Sequence, residues 1–183
     1  MNTKQMTRCA LMTALIAVLA PLSIPSSLVP VSLATFAVML AGAILGAKEG
    51  VICTGLYLLL GALGIPVFAG WSSGISILFG MTGGYLFGYL PLAYITGCFA
   101  ERSDRMPSLI TGMLIGTAVL YVIGTIWFMV FMKMGLMPSL AACVLPFLPG
   151  DAVKIVVTAL IAPRIRAALQ NARRLVSSNC GIQ

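Results

Sequence analysis

From 109 to 132 the chain runs through LITGMLIGTAVLYVIGTIWFMVFM without one Asp, Glu, Lys or Arg. A helix needs about 20 predominantly apolar residues to cross a bilayer, so this stretch alone directs the chain toward lipid. Further apolar segments follow the same pattern at 10–22, 33–45, 51–63, 77–99 and 148–165. Composition agrees with them: 60% hydrophobic and 8% charged residues among 183, with mean hydropathy +1.08, exclude an ordinary soluble domain. The expectation is an all-α integral membrane protein with six transmembrane helices in a single domain, 1–183, leaving no room for a soluble catalytic domain.

Positive charges near span ends stay on the cytoplasmic side. With six spans and the N-terminus inside, Lys4, Arg8, Lys48, Arg102, Arg105, Arg164, Arg166, Arg173 and Arg174 all fall inside, and only Lys133 falls outside. This predicts an N-in, C-in topology. It also accounts for the net charge of +7 without nucleic acid, because the basic residues sit in loops and tails with no interleaved aromatics. The basic tail from 164 to 174 reads either as a contact for anionic lipid headgroups or simply as part of the same positive-inside bias, which already accounts for it. A cleaved signal peptide is the rival reading of the first segment, since Lys4 and Arg8 precede a short apolar run. An uncleaved helix is preferred because nothing after Ser27 reads as a secreted domain.

Within this apolar frame, PFLPGDAVK at 146–154 puts a carboxylate and an ammonium at the start of the last span. Desolvating either ion costs several kcal/mol, so intramembrane charge marks a functional site with a named partner. Asp151 and Lys154, spaced i, i+3, share one helical face near the outer end of that span and can neutralise each other. The alternative is a structural ion pair that fixes helix packing.

The remaining features carry less. Gly and Pro punctuate the loops at Pro21, Pro25, Pro30, Gly64, Pro66, Pro138 and Pro146, and GAKEG at 46–50 predicts a tight helical hairpin. TGGYLFG at 82–88 permits close backbone approach to a neighbouring helix or a ligand. Phe68 and Trp71 read either as an interfacial aromatic belt or as a lid over a pocket. Ala10, Ala14 and Ala17 form a small-residue stripe on the first helix, suited to a docking helix or to internal packing. Cys9, Cys53, Cys98, Cys143 and Cys180 are scattered and histidine is absent, so they read as small buried residues with no metal site or disulfide framework. The run Met129, Met132, Met134, Met137 reads as adaptable packing. No nucleotide-binding or hydrolase motif appears, and four acidic residues leave little for acid–base catalysis. A small-molecule binder or carrier is therefore favoured over a membrane-embedded enzyme, with no catalytic residues.

Taken in order, VPVSLATFAV at 29–38, LAGA at 40–43, YLLLGALGIPVFAG at 57–70, GGY at 83–85 and PFLPGDAVK at 146–154 resemble the BioY family, the substrate-binding S component of energy-coupling-factor biotin transporters. The resemblance implies six helices around an outward-opening biotin pocket in a bacterial or archaeal cell membrane. It implies ligand contacts from Asp151 and Lys154, with biotin as transported ligand and no cofactor. It also implies that a small-residue face of the first helix docks on a transmembrane coupling subunit driven by two ATPase subunits. Phe68, Trp71, Tyr85 and Thr35 are expected as further lining. Two positions depart from the family pattern: Ala34 stands where glutamine is common, and Met81 where proline often precedes Thr-Gly-Gly. The first removes one polar group and bears on affinity and vitamin identity; the second bears on loop rigidity. A binder for another vitamin-like solute and a solitary carrier without ATPases remain the alternatives.

Overall fold

The structure is a computed structural model that describes residues 3–24, 31–103 and 105–180. Pro25 and Pro30, expected to punctuate the first loop, lie outside the described residues, as does Val29. Among the described residues the regular elements are helical except for one short strand pair. In order come α1 (Thr3–Leu19), β1 (Ser23–Ile24), β2 (Val31–Ser32), α2 (Ala34–Leu45), α3 (Ala47–Ala62), a 3-10 turn (Ala69–Trp71), α4 (Ile75–Leu78), α5 (Gly83–Arg102), α6 (Met106–Met132), α7 (Leu136–Cys143) and α8 (Leu148–Cys180).

Among the described residues α6 is the helix both long enough and apolar enough to cross a membrane by itself. At 1.5 Å per residue it reaches about 40 Å. α2 is apolar too but only 12 residues long, and nearly all of it is buried. It is an interior helix wrapped by its neighbours rather than a lipid-facing one. α5 is the hub: its most extensive interface is with α6, and it also packs on α2 and α3, while α8 closes against α2 and α6.

The expected hairpin between the second and third segments is tighter than a five-residue turn. One residue, Gly46, makes the break with φ 94° and ψ −178°, backbone essentially confined to glycine. Lys48, Glu49 and Gly50 already belong to α3. The α3 N-terminus is capped across the bundle, where the Ala47 N–H donates to Glu101 Oε1 at 2.9 Å. Nearby, a Cβ on Gly97 would collide with the backbone of Gly46 and Ala47, so a bare helix face lets α5 seat against the hinge.

Other boundaries also move. The helix expected at 77–99 starts at Gly83, because the chain breaks at 79–82 after the single turn of α4. α7 and the β1–β2 pair were not expected. The pair is antiparallel, Ser23 opposite Ser32 and Ile24 opposite Val31, and it is extended when Leu33 N–H donates to Leu22 O at 3.1 Å. The last helix runs on well past 165 through an internal Pro163. Cys9, Cys53 and Cys143 are buried free thiols and Cys98 is half-buried.

Candidate functional site

A cavity of about 410 Å³ opens at one end of the bundle, where α2, α5 and α8 begin and α3 and α6 end. Its depth is lined by buried Ser32, Thr35, Tyr57, Phe68, Tyr89 and Asp151, and its exposed rim by Ser76, Met81 and Phe131. This is an apolar, aromatic pocket with a few converging polar groups, the usual make-up of a small-molecule site.

Asp151 is the charged residue in that lining, and it is 3% exposed. It sits in the first turn of α8, where the helix N-terminus favours a carboxylate. Lys154 lies one turn on and is 8% exposed, with Nζ 2.9 Å from Asp151 Oδ1. Its other two protons go to Thr35 Oγ1 at 2.9 Å and to the Ser32 carbonyl at 2.8 Å. An ammonium has three donors, so Lys154 is fully used by the protein. Thr35 passes its own proton to Asp151 Oδ1 at 3.3 Å, and Tyr121 donates to Asp151 Oδ2 at 2.6 Å. Every charge in this apolar setting therefore has an opposite charge and several hydrogen bonds, the condition under which buried ions are tolerated. The β1–β2 pair has a clear role here, since it holds the Ser32 carbonyl where Lys154 can reach it.

The structure thus brings together Asp151, Lys154, Thr35, Tyr85 and Phe68. Tyr85 lies on the cavity wall, donates to the Cys143 carbonyl at 3.2 Å and stacks on Phe147 with centroids 6.4 Å apart. Phe68 is buried rather than interfacial; it presses on Gly61 and meets Tyr57 edge to face at 5.7 Å. Trp71 stands apart. It is 65% exposed and lies outside the lining, on a turn where Gly70 and Trp71 both have left-handed backbone. Ala34 is part of the wall and contributes no polar group, while Met81 stands at the rim. Gly83 and Gly84 approach the backbone of Leu78 and the Trp127 side chain, so the paired glycines serve packing.

Tyr57, Tyr89 and Tyr121 line the cavity and were not singled out from the sequence. The signal that pointed to them was weak: tyrosine in a membrane helix is ordinarily an interface anchor. On α1 the buried face is Cys9, Thr13 and Ile16, whereas Ala10 and Ala14 are exposed and Ala17 is half-buried. Two of the three stripe alanines thus face away from the chain's own core, while Ala17 packs against it.

Comparison with known proteins decides the family. The model of the BioY family matches residues 1–171. This chain belongs to the BioY family. The biotin transporter BioY of Thermotoga maritima is 36% identical over 89% of this chain and 96% of its own length. The biotin transporter BioY2 of Lactococcus lactis is 37% identical over 94% and 97%. The crystal structure of the S-component for biotin from an ECF-type ABC transporter superposes with a TM-score of 0.84 at 32% identity, covering 91% of this chain and 95% of that one.

Proposed function

We propose that this BioY-family chain binds and takes up biotin as the membrane-embedded substrate-specificity subunit of an energy-coupling-factor transporter. It is a transport subunit and not an enzyme. The observation that carries the reading is a buried carboxylate, held by Lys154, in the depth of a largely apolar and aromatic cavity. Biotin offers a polar ureido ring joined to an apolar thioether ring and chain. Asp151 accepts a ureido N–H, and the aromatic and aliphatic walls bury the rest. Lys154 balances the charge of Asp151 and orients its carboxylate. It donates to the ligand itself only by exchanging its Ser32 or Thr35 bond, one for one. Thr35, Tyr85 and Phe68 complete the binding wall, and Trp71 covers the ligand only if its loop turns inward.

The wider assembly is part of the same proposal. Six spans with both termini inside agree with the distribution of basic residues, and with helices that alternate in direction around the cavity. Docking on a transmembrane coupling subunit through Ala10, Ala14 and Ala17 is supported by the exposure of Ala10 and Ala14. Two ATPase subunits would drive that coupling subunit, in a bacterial or archaeal cell membrane. Mass spectrometry of small molecules extracted from the purified protein tests the ligand. Chemically unchanged biotin is expected; reproducible recovery of a different solute would overturn the assignment.

A further inference from the structure

Tyr121 is a half-buried residue of α6 whose side chain is on the cavity wall, with its hydroxyl 2.6 Å from Asp151 Oδ2. A phenol has one proton, and against a carboxylate at that distance the proton is committed to Asp151. Toward the cavity the Tyr121 oxygen therefore presents lone pairs and no donor. The same count applies to its neighbours. Thr35 gives its proton to Asp151, and all three protons of Lys154 are taken by Asp151, Thr35 and Ser32. A carboxylate accepts about four hydrogen bonds. Asp151 receives two on Oδ1 and one on Oδ2, so one Oδ2 site remains, beside the free lone pair of Tyr121.

We propose that Tyr121 is a second ligand-reading residue: its hydroxyl oxygen and Asp151 Oδ2 together accept one ureido N–H and make the site selective for a donor at that nitrogen. The inference rests on the biotin reading above. It deepens that reading by assigning an acceptor pair in the depth of the pocket, which receives an N–H and excludes a substituent in its place. A bound N–H divided between two oxygens is a three-centre bond, and losing the Tyr121 share leaves Asp151 with a less well fixed acceptor.

The test uses biotin and its two derivatives carrying a methyl group on one or the other ureido nitrogen, titrated into the full chain in detergent. Wild type should bind biotin at least about tenfold more tightly than the derivative blocked at the facing nitrogen, by the usual strength of a hydrogen bond to a charged group. Tyr121→Phe should weaken biotin by about tenfold and leave that derivative near its wild-type affinity, so that the discrimination shrinks by the same factor. A purely structural tyrosine would weaken both ligands alike. Unchanged discrimination in folded Tyr121→Phe, with wild type binding biotin normally, would overturn the Tyr121 assignment and leave the biotin reading intact. Equal wild-type affinity for biotin and both derivatives would overturn it without any variant. Failure of wild type to bind biotin at all would overturn both.

Discussion

Asp151 and Lys154 form a pair whose two members should not behave alike when removed. Asp151→Asn keeps an oxygen for Lys154 and Thr35 but withdraws the charge, so biotin binding should weaken by about 10- to 150-fold, as read by calorimetric titration. Lys154→Met leaves a buried carboxylate unpaired and the Ser32 carbonyl without its donor. Breaking a buried pair costs about 3–5 kcal/mol whichever partner is removed. Asparagine still accepts from Lys154 whereas methionine donates to nothing, so the ligand-free thermal midpoint of Lys154→Met should fall below that of Asp151→Asn. The opposite order would mean that Lys154 is not what holds the site together. The pair was legible in the sequence because charge inside an apolar segment demands a partner, and i, i+3 spacing supplied one. Tyr89 and Tyr121 were not legible. Their place on the cavity depends on the rotational setting of α5 and α6, which tertiary packing decides and local residues do not. Trp71 illustrates the converse: proximity in sequence to buried Phe68 does not bring it into the cavity lining.

The helical elements were readable wherever long apolar runs meet glycine or charge, and less so where packing draws the boundary. The α2–α3 hairpin was visible from GAKEG, yet its reduction to Gly46 depends on Glu101, 54 residues away, capping α3. Gly46→Ala should therefore destabilise the fold by about 1–3 kcal/mol, because alanine is strained at this φ and ψ and its Cβ meets the Glu101 carboxylate. A thermal midpoint equal to wild type would show that the hinge tolerates a different backbone. α7 and the β1–β2 pair escaped notice since eight-residue and two-residue elements carry too little periodicity to register. On α1, the exposed alanines give a prediction of their own. Ala14→Leu should reduce co-purification with a coupling subunit and biotin uptake, while the isolated chain keeps wild-type biotin affinity. Loss of ligand binding in the isolated variant would count against a docking face.

At the level of the whole molecule, the largely helical architecture follows from composition, and the charge distribution predicts an outward-facing cavity. Lys48 stands at the α2–α3 hinge, at the opposite end of α2 from Thr35 and the cavity. Cysteines introduced beside Lys48 and Arg173 should resist membrane-impermeant maleimide in intact cells and react once the membrane is opened, whereas one beside Lys133 should react in intact cells. Labelling of the first two from outside would invert the topology and point the cavity inward. The central claim is that biotin is held in this cavity through the buried pair. Its most direct test is biotin titration into purified wild type and the Asp151→Asn/Lys154→Met double variant, with ligand-free thermal unfolding as the control for fold. Wild type should bind tightly, and the folded double variant should lose about 100-fold or more. Near-native affinity in a folded double variant would contradict the account, because the pair would then be structural and the ligand held elsewhere.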